Sequence, residues 1–226
     1  MSRSVLFDTE TTGLDPLTGD RMIEFAALEL INDLPTGVFF HRVVDPQRDI
    51  PSDASRIHGM TNADVAGKPL FAHIARELLE FLGDSPLVAH NAVFDFGFMD
   101  AELLRAKLPP LDRSRMIDTL ALAKARFPGM PNSLDALCRR FDIDLSARTT
   151  HNALLDCKLL ADVYVELTGG RQRGLLLAED GQEGFSATVY RLAGPREPRL
   201  IAVTPAEAEA HQAFVAKLKE PVWLIA

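Results

Sequence analysis

The chain has 226 residues, of which 47% are hydrophobic and 25% are charged, a composition typical of globular proteins. Its formal net charge is −8, which argues against a freestanding protein that grips nucleic acid tightly, because phosphate binding depends on lysine and arginine. Nowhere does the sequence hold about 18 consecutive apolar residues, so it predicts no membrane span.

The N-terminus and the cysteines indicate a cytoplasmic protein. Met-Ser-Arg-Ser leads directly into the first predicted strand, which leaves no room for a signal peptide. Cys138 and Cys157 fall in apolar helical patterns, where we expect reduced core residues rather than a disulfide or zinc ligands.

The first 44 residues predict three strands joined by turns. The strands are expected over residues 4–10, 21–31 and 37–44. Turn-forming residues separate them at positions 18–20 and 32–37. Consecutive strands with short connections favour an antiparallel meander.

Helices and short strands alternate over the next part of the chain. Two short helices are expected within residues 51–67, and an amphipathic helix over 69–82 should end at Gly83. Short strands are predicted at 86–89 and 116–117, and helices at 92–107, 119–126, 133–141 and 152–167. Thr149 and Thr150 are expected to cap the last of these helices. This order of elements predicts an α/β domain.

The chain continues beyond the glycine pair at 169–170 into a tail. Residues 178–198 have the composition of a linker. The last part predicts a strand at 200–203, a helix from the capping box at 204–207 to about residue 220, and a strand at 222–225. About 30 residues cannot bury this much apolar surface alone, so the segment is expected to pack on another surface.

Two carboxylates stand at the end of the first predicted strand. Asp8 and Glu10 follow the apolar run of residues 5–7, and alternate side chains of a strand point to the same face. Like charges at this spacing repel each other unless a cation neutralises them. Ligand sets made of oxygen suit Mg²⁺ or Mn²⁺. Two solvated acids on an exposed strand are the alternative.

Two further acids and a histidine lie in predicted helices. Asp95 is surrounded in sequence by aromatic residues, where a carboxylate is costly to bury without a partner; a helix cap or a surface acid is the alternative. His151 lies at the start of the helix over 152–167, and Asp156 is expected in its second turn. Such a pair is by itself weak evidence for catalysis.

Together these residues resemble the DEDDh branch of the DnaQ-like 3′→5′ exonucleases. Asp8 and Glu10 match the family's Asp-x-Glu motif, Asp95 matches its second motif, and His151 and Asp156 match its His-x4-Asp motif. Four segments narrow the resemblance to the epsilon-type proofreading subunits of bacterial DNA polymerase III: Thr-Glu-Thr-Thr-Gly-Leu-Asp-Pro, Phe-Asp-Phe-Gly-Phe-Met, Asn-Ser-Leu-Asp-Ala-Leu-Cys and Leu-Leu-Asp at 154–156.

The resemblance implies a fold and a reaction. The fold would be α/β and ribonuclease H-like, with a mixed five-stranded sheet and a small C-terminal partner-binding segment. The substrate would be a single-stranded or frayed 3′ DNA end, hydrolysed to nucleoside 5′-monophosphates. His151 would take the proton from the attacking water, and two divalent ions, Mg²⁺ or Mn²⁺, would be held by Asp8, Glu10, Asp95 and Asp156.

The resemblance also implies substrate contacts, a domain plan and partners. Contacts with the terminal nucleotide are expected from Thr9, Glu10, Thr11, Gly13, Asp53 and His58, although Asp53 stands where the family commonly has glutamate. Residues 1–170 would form the exonuclease domain, and 171–198 would be a linker. That linker would bind the sliding clamp through Gln172, Leu175 and Leu177. Residues 199–226 would bind the polymerase alpha subunit.

Two other functions stay open. One is an RNA-trimming DEDDh exoribonuclease, which the tail beyond residue 170 argues against. The other is a catalytically idle polymerase-docking module, which the complete motif set argues against.

Overall fold

The computed structural model describes residues 2–146, 148, 150–169 and 203–218. The chain divides into two compact units, Met1–Leu176 and Leu177–Ala226. The predicted clamp-binding residues, the whole predicted linker and both predicted C-terminal strands lie outside the described residues, apart from Val203, which is not in a strand.

Five strands form one mixed sheet in the order β3-β2-β1-β4-β5. They are β1 (Arg3–Thr11), β2 (Met22–Ile31), β3 (Leu34–Val43), β4 (Leu87–Ala89) and β5 (Met116–Asp118). The first three strands pair antiparallel, whereas β4 runs parallel to both β1 and β5. The mixed five-stranded α/β sheet predicted from the sequence is confirmed.

The turn between β2 and β3 is shorter than the sequence predicted. Asn32 and Asp33 have positive φ angles of 51° and 65°, as a two-residue hairpin turn requires. Pro35 already lies in β3, opposite Leu30. Proline is tolerated there because β3 is an edge strand and need not donate a ladder hydrogen bond on its free side. The predicted turn over 32–37 is therefore wrong beyond Asp33.

Eight α-helices are described, besides two short 3₁₀ helices at Pro16–Thr18 and Arg113–Arg115. They are α1 (Ser52–His58), α2 (Asn62–Val65), α3 (Phe71–Leu82), α4 (Ala92–Arg105), α5 (Thr119–Arg126), α6 (Leu134–Arg140), α7 (Ala153–Leu167) and α8 (Pro205–Val215). The predicted capping box begins α8. The helix ends at Val215 rather than near residue 220, because the N–H groups of Lys217 and Leu218 bond carbonyls three residues back, as in a 3₁₀ turn. Within the described ranges, no helix is both long and apolar enough to cross a membrane.

The sheet buries a hydrophobic core on each face. Val5 and Phe7 of β1 belong to the core that includes Phe96 of α4. Leu6 belongs to the opposite core, which includes Leu160 of α7. Because side chains alternate along a strand, Asp8 and Glu10 continue the Leu6 face, which is the face packed against α7.

The start of α7 differs from the prediction. Asn152 caps the helix, since its side-chain oxygen accepts the Leu155 N–H at 3.1 Å. The expectation that Thr149 and Thr150 cap it is wrong, because asparagine is the stronger cap and directly precedes the helix. Asp156 consequently lies in the first turn of α7 rather than the second.

A buried ion pair fastens α4 to the start of β2. The Arg21 guanidinium donates to both oxygens of Glu102, at 2.6 and 3.0 Å. Glu102 is only 2% exposed, so it depends on this partner and on a weaker bond from Arg105 at 3.2 Å. The pair fixes the position of the helix that carries Asp95.

We expect Glu102→Ala to lower the free energy of unfolding by about 2–4 kcal/mol, because it leaves the Arg21 guanidinium partly buried without its partner. Urea unfolding followed by circular dichroism measures the change. The matched control is Glu77→Ala, which removes an exposed ion pair with Arg42 and should cost less than about 1 kcal/mol. Equal losses in the two variants would contradict the role given to Glu102.

Candidate active site

An open cavity of about 550 Å³ lies at the end of β1. Its walls come from residues 8–14, from α1 and from the start of α4. Asp8, Glu10 and Asp95 line the cavity together with His151, whereas Asp156 is not among the described lining residues. Three of the four predicted metal ligands therefore meet in one cavity, and the fourth, Asp156, is buried next to Glu10 and His151.

The acids of β1 stand in an apolar strand that the two cores hold in place. Asp8 is partly buried and Glu10 is buried. In the antiparallel pairing, Glu10 lies directly opposite Glu24 of β2. Opposed like charges destabilise a strand pair, so the fold concentrates negative charge at this point against the local preference of the sheet.

Asp95 reaches the cavity from the first turn of α4. The Thr9 hydroxyl donates to its Oδ1 at 2.8 Å, which links the helix to β1. The N-terminus of α4 is in turn fixed by Asp118, whose Oδ1 accepts the N–H groups of Asn91 and Ala92 at 3.0 and 3.3 Å. The same oxygen accepts the Leu120 N–H at 3.0 Å and so caps α5.

Asp156 is enclosed by Arg148 and His151. The Arg148 guanidinium donates to its Oδ1 at 2.5 Å and to its Oδ2 at 2.8 Å. Nδ1 of His151 lies 3.4 Å from Oδ2 and 3.0 Å from Nη2 of Arg148. His151 itself is about half exposed, with its side chain 48% accessible, so it can meet a molecule in the cavity.

Two residues of this site were missed by the sequence reasoning. Glu24 is 1% exposed and accepts hydrogen bonds from His41 at 2.6 Å, Asn152 at 3.2 Å and the Ala153 N–H at 3.3 Å. It thereby anchors the start of α7 to β2. An acid inside the apolar run of β2 was the available signal for Glu24. The other missed residue is Arg148, for which a loop sequence offers no pattern.

The site is under strong electrostatic strain. Burial, followed by the charges of neighbouring acids, raises the pKa of Asp8 well above its usual range and that of Glu10 to about 8. Burial also raises the pKa of Asp95 to about 7, although the Thr9 hydrogen bond opposes the shift. Burial would raise the pKa of Asp156 too, but the Arg148 and His151 hydrogen bonds outweigh it and lower the value.

These residues fit a divalent metal. Oε1 of Glu10 is buried and has no hydrogen-bond partner among the described residues. Ligand atoms of Glu10, His151 and Asp156 lie within 4.8 Å of one another. Carboxylate oxygens are what Mg²⁺ and Mn²⁺ prefer, and a cation would relieve the repulsion that raises the pKa of the acids.

The predicted substrate residues all line the cavity. The Thr11 hydroxyl donates to the Gly13 carbonyl at 2.6 Å, which shapes the loop after β1. A Cβ at Gly13 would lie 2.2 Å from the Asp20 carboxylate, so a larger residue there would displace that side chain. Asp53 is exposed at the rim and pairs with Arg56.

His58 presents a hydrogen-bond donor. Its Nδ1 accepts the Met60 N–H at 3.1 Å, so the neutral ring carries its proton on Nε2. That nitrogen is buried and has no partner in the described part of the chain. His90 differs, since its Nδ1 lies 2.9 Å from the Thr119 hydroxyl.

The matching family model has the description exonuclease, and it covers residues 5–164. The DNA polymerase III subunit epsilon of Rickettsia felis is 43% identical over 221 residues, which is 96% of each chain. The subunit of the same name from Escherichia coli is 39% identical over 224 residues, covering 94% of this chain and 92% of the relative.

Solved exonuclease structures share the fold. Exonuclease X in complex with 5′ overhanging duplex DNA has a TM-score of 0.56 and 29% identity, covering 75% of this chain and 92% of its own. The zinc-bound Escherichia coli ExoI–ssDNA complex has a TM-score of 0.65 and 20% identity, covering 76% of this chain and 41% of its own. The second likeness concerns the fold alone.

Without metal, the acid cluster should destabilise the protein increasingly as pH rises. The pKa of Glu10 is raised from 4.5 to about 8 on folding, so in this window the folded state binds protons that the unfolded chain has released. The penalty is therefore absent below about pH 4.5 and complete above about pH 8. We expect Asp8→Asn combined with Glu10→Gln to raise the melting temperature in EDTA, and to raise it more at about pH 8.5 than at about pH 5.

The quantity to measure is the difference in melting temperature between the variant and the wild type at each pH. Burial lowers the pKa of His58 and of His90. These histidines therefore destabilise the folded state as pH falls below about 6.5, whereas the acid cluster destabilises it as pH rises. Both proteins share that effect, so it cancels. A difference that is constant from about pH 5 to about pH 8.5 would contradict the raised pKa values of the cluster.

Proposed function

The chain belongs to the exonuclease family, and we propose that it is the 3′→5′ proofreading exonuclease of a bacterial DNA polymerase III. The observation that carries the proposal is the convergence of Asp8, Glu10 and Asp95 on one cavity with His151 at its wall. The identity of 39–43% with epsilon subunits over nearly the whole chain supports the same conclusion.

The enzyme depends on divalent metal, and we propose two ions, Mg²⁺ or Mn²⁺, held by Asp8, Glu10, Asp95 and Asp156. When bound, such ions lower the pKa of water and neutralise developing charge on a phosphodiester. The protein itself holds the ligands in fixed positions. The strand β1 sets the spacing of Asp8 and Glu10, and the hydrogen bond from Thr9 fixes the position of the Asp95 carboxylate. Glu24 holds the start of α7.

His151 is the group that takes the proton from the attacking water. Imidazole is the side chain best suited to accept a proton near neutral pH. His151 lies just before α7, lines the cavity and is about half exposed. Its ring therefore faces both Asp156 and the space where a scissile phosphodiester would lie.

The terminal nucleotide would lie along the loop after β1 and against α1. Thr9, Glu10, Thr11 and Gly13 supply one wall, and Asp53 and His58 supply the other. The unpartnered Nε2–H of His58 is a donor for a sugar or base oxygen. The exposed side chains of Leu14 and Ile57 give the same cavity apolar surface for a base.

Assembly with a polymerase accounts for the tail. Residues 199–226 would bind the alpha subunit, and Gln172, Leu175 and Leu177 in the linker would bind the sliding clamp through aliphatic anchors of an extended peptide. The acidic net charge of −8 fits a subunit that a partner delivers to DNA. A replicative role implies the cytoplasm.

We expect the purified protein with Mg²⁺ to shorten a 5′-labelled single-stranded DNA stepwise from its 3′ end, and an RNA of the same sequence far more slowly. Asp8→Asn combined with Glu10→Gln should lower the rate by about a thousandfold or more, because the metal ligands are lost. The exposed Glu77→Gln variant is the control and should keep the wild-type rate. Faster cleavage of RNA would instead favour the exoribonuclease.

A second experiment tests the partner. Tagged full-length protein and a version truncated after Gly170 are used to capture proteins from source cells. We expect the replicative polymerase only with the full-length chain, while both versions cleave single-stranded DNA at similar rates. Capture of the polymerase by the truncated protein would contradict the role of the tail.

A further inference from the structure

Arg148 occupies the place at Asp156 where a cation is expected. Its guanidinium takes both carboxylate oxygens of Asp156, at 2.5 and 2.8 Å. The Asp156 side chain is 4% exposed and that of Arg148 is 9% exposed, so the pair is largely shielded from solvent. A metal ion cannot use an oxygen of Asp156 that still accepts a hydrogen bond along the same direction.

Within the described part of the chain, no arginine or lysine side chain bonds Asp8, Glu10 or Asp95. Burial raises the pKa of Asp8, Glu10 and Asp95, whereas the bonds from Arg148 are the main reason that the pKa of Asp156 is lowered despite burial. Arg148 therefore compensates one of the four negative charges without any metal.

The guanidinium group of Arg148 also bonds a second carboxylate. Its Nη1 donates to Oδ1 of Asp135, in the first turn of α6, at 2.6 Å. The Asp135 side chain is 41% exposed, so this carboxylate is solvated and can hold the guanidinium outside the cluster. Nη2 of Arg148 also lies 3.0 Å from Nδ1 of His151, so a shift of Arg148 frees the imidazole ring as well.

We propose that Arg148 is a positioning residue that serves as an exchangeable cation: it holds Asp156 in place while metal is absent and withdraws onto Asp135 when a divalent ion binds. The inference rests on the proposed metal site. It assigns Arg148 a competition with the metal for Asp156, and it assigns Asp135 the task of accepting the displaced guanidinium.

The competition predicts opposite effects of two substitutions on metal affinity. Arg148→Gln removes both the competitor and a positive charge near the ion, so the dissociation constant for Mn²⁺ should fall by about tenfold, the scale of a charged hydrogen bond. Asp135→Asn leaves Asp156 as the one acid that Arg148 bonds among the described residues, so the constant should rise by about threefold or more. Arg139→Gln is the matched control and should leave it unchanged, because Arg139 is exposed and lies 3.9 Å from Asp135.

Isothermal titration of Mn²⁺ into each full-length protein measures these constants. Thermal unfolding in EDTA and in saturating Mn²⁺ gives a second readout: Arg148→Gln should lower the melting temperature in EDTA but widen the gain on adding Mn²⁺. A purely structural Arg148 would instead lower the melting temperature by the same amount in both conditions and leave the affinity unchanged or weaker.

The outcomes separate this inference from the proposed function. If the wild type binds no Mn²⁺, the metal site itself is wrong and the inference falls with it. If the wild type binds Mn²⁺ but Arg148→Gln binds it no more tightly, the site stands and the exchange is wrong. Should Arg148→Gln fail to fold, Asp135→Asn still decides, because weaker Mn²⁺ binding supports the exchange and unchanged or tighter binding overturns it.

Discussion

The mutual repulsion of buried carboxylates is the constraint on which the rest of this structure depends. Asp8, Glu10, Asp95 and Asp156 converge at one end of the sheet, and Glu24 faces Glu10 across the strand pair. Like charges at this distance repel each other, and burial makes their ionisation still more costly. The arrangement is stable only because the packing and hydrogen bonds of the scaffold offset this free-energy cost, and because a cation can remove the repulsion.

The scaffold resists this repulsion with contacts that act at element ends. Hydrophobic cores pack against both faces of β1. Its acids therefore cannot move apart without disturbing the packing of Leu6 or Phe7 in the same strand. Asp118 fixes the start of α4, and Glu24 fixes the start of α7. Each helix start carries one acid of the cluster in its first turn. The geometry of the site is thus set by capping bonds rather than by contacts among the acids themselves.

The sequence predicted what depends on local patterns. Alternation along β1 and helical spacing elsewhere located the elements and the three motifs, and the resemblance supplied their roles. Local rules failed where tertiary context decides: Pro35 is accepted because β3 lies at the sheet edge, and Asn152 rather than a threonine caps α7. Glu24 and Arg148 were missed because their importance arises from bonds to residues distant in sequence or from the reach of one side chain.

If divalent metal holds this cluster together, anomalous diffraction from crystals grown with Mn²⁺ should locate the ions. We expect anomalous peaks within bonding distance of the carboxylate oxygens of Asp8, Glu10, Asp95 and Asp156. Their presence with Arg148 moved off Asp156 would fit the full account. Mn²⁺ bound elsewhere, or an empty cavity at saturating Mn²⁺, would contradict it.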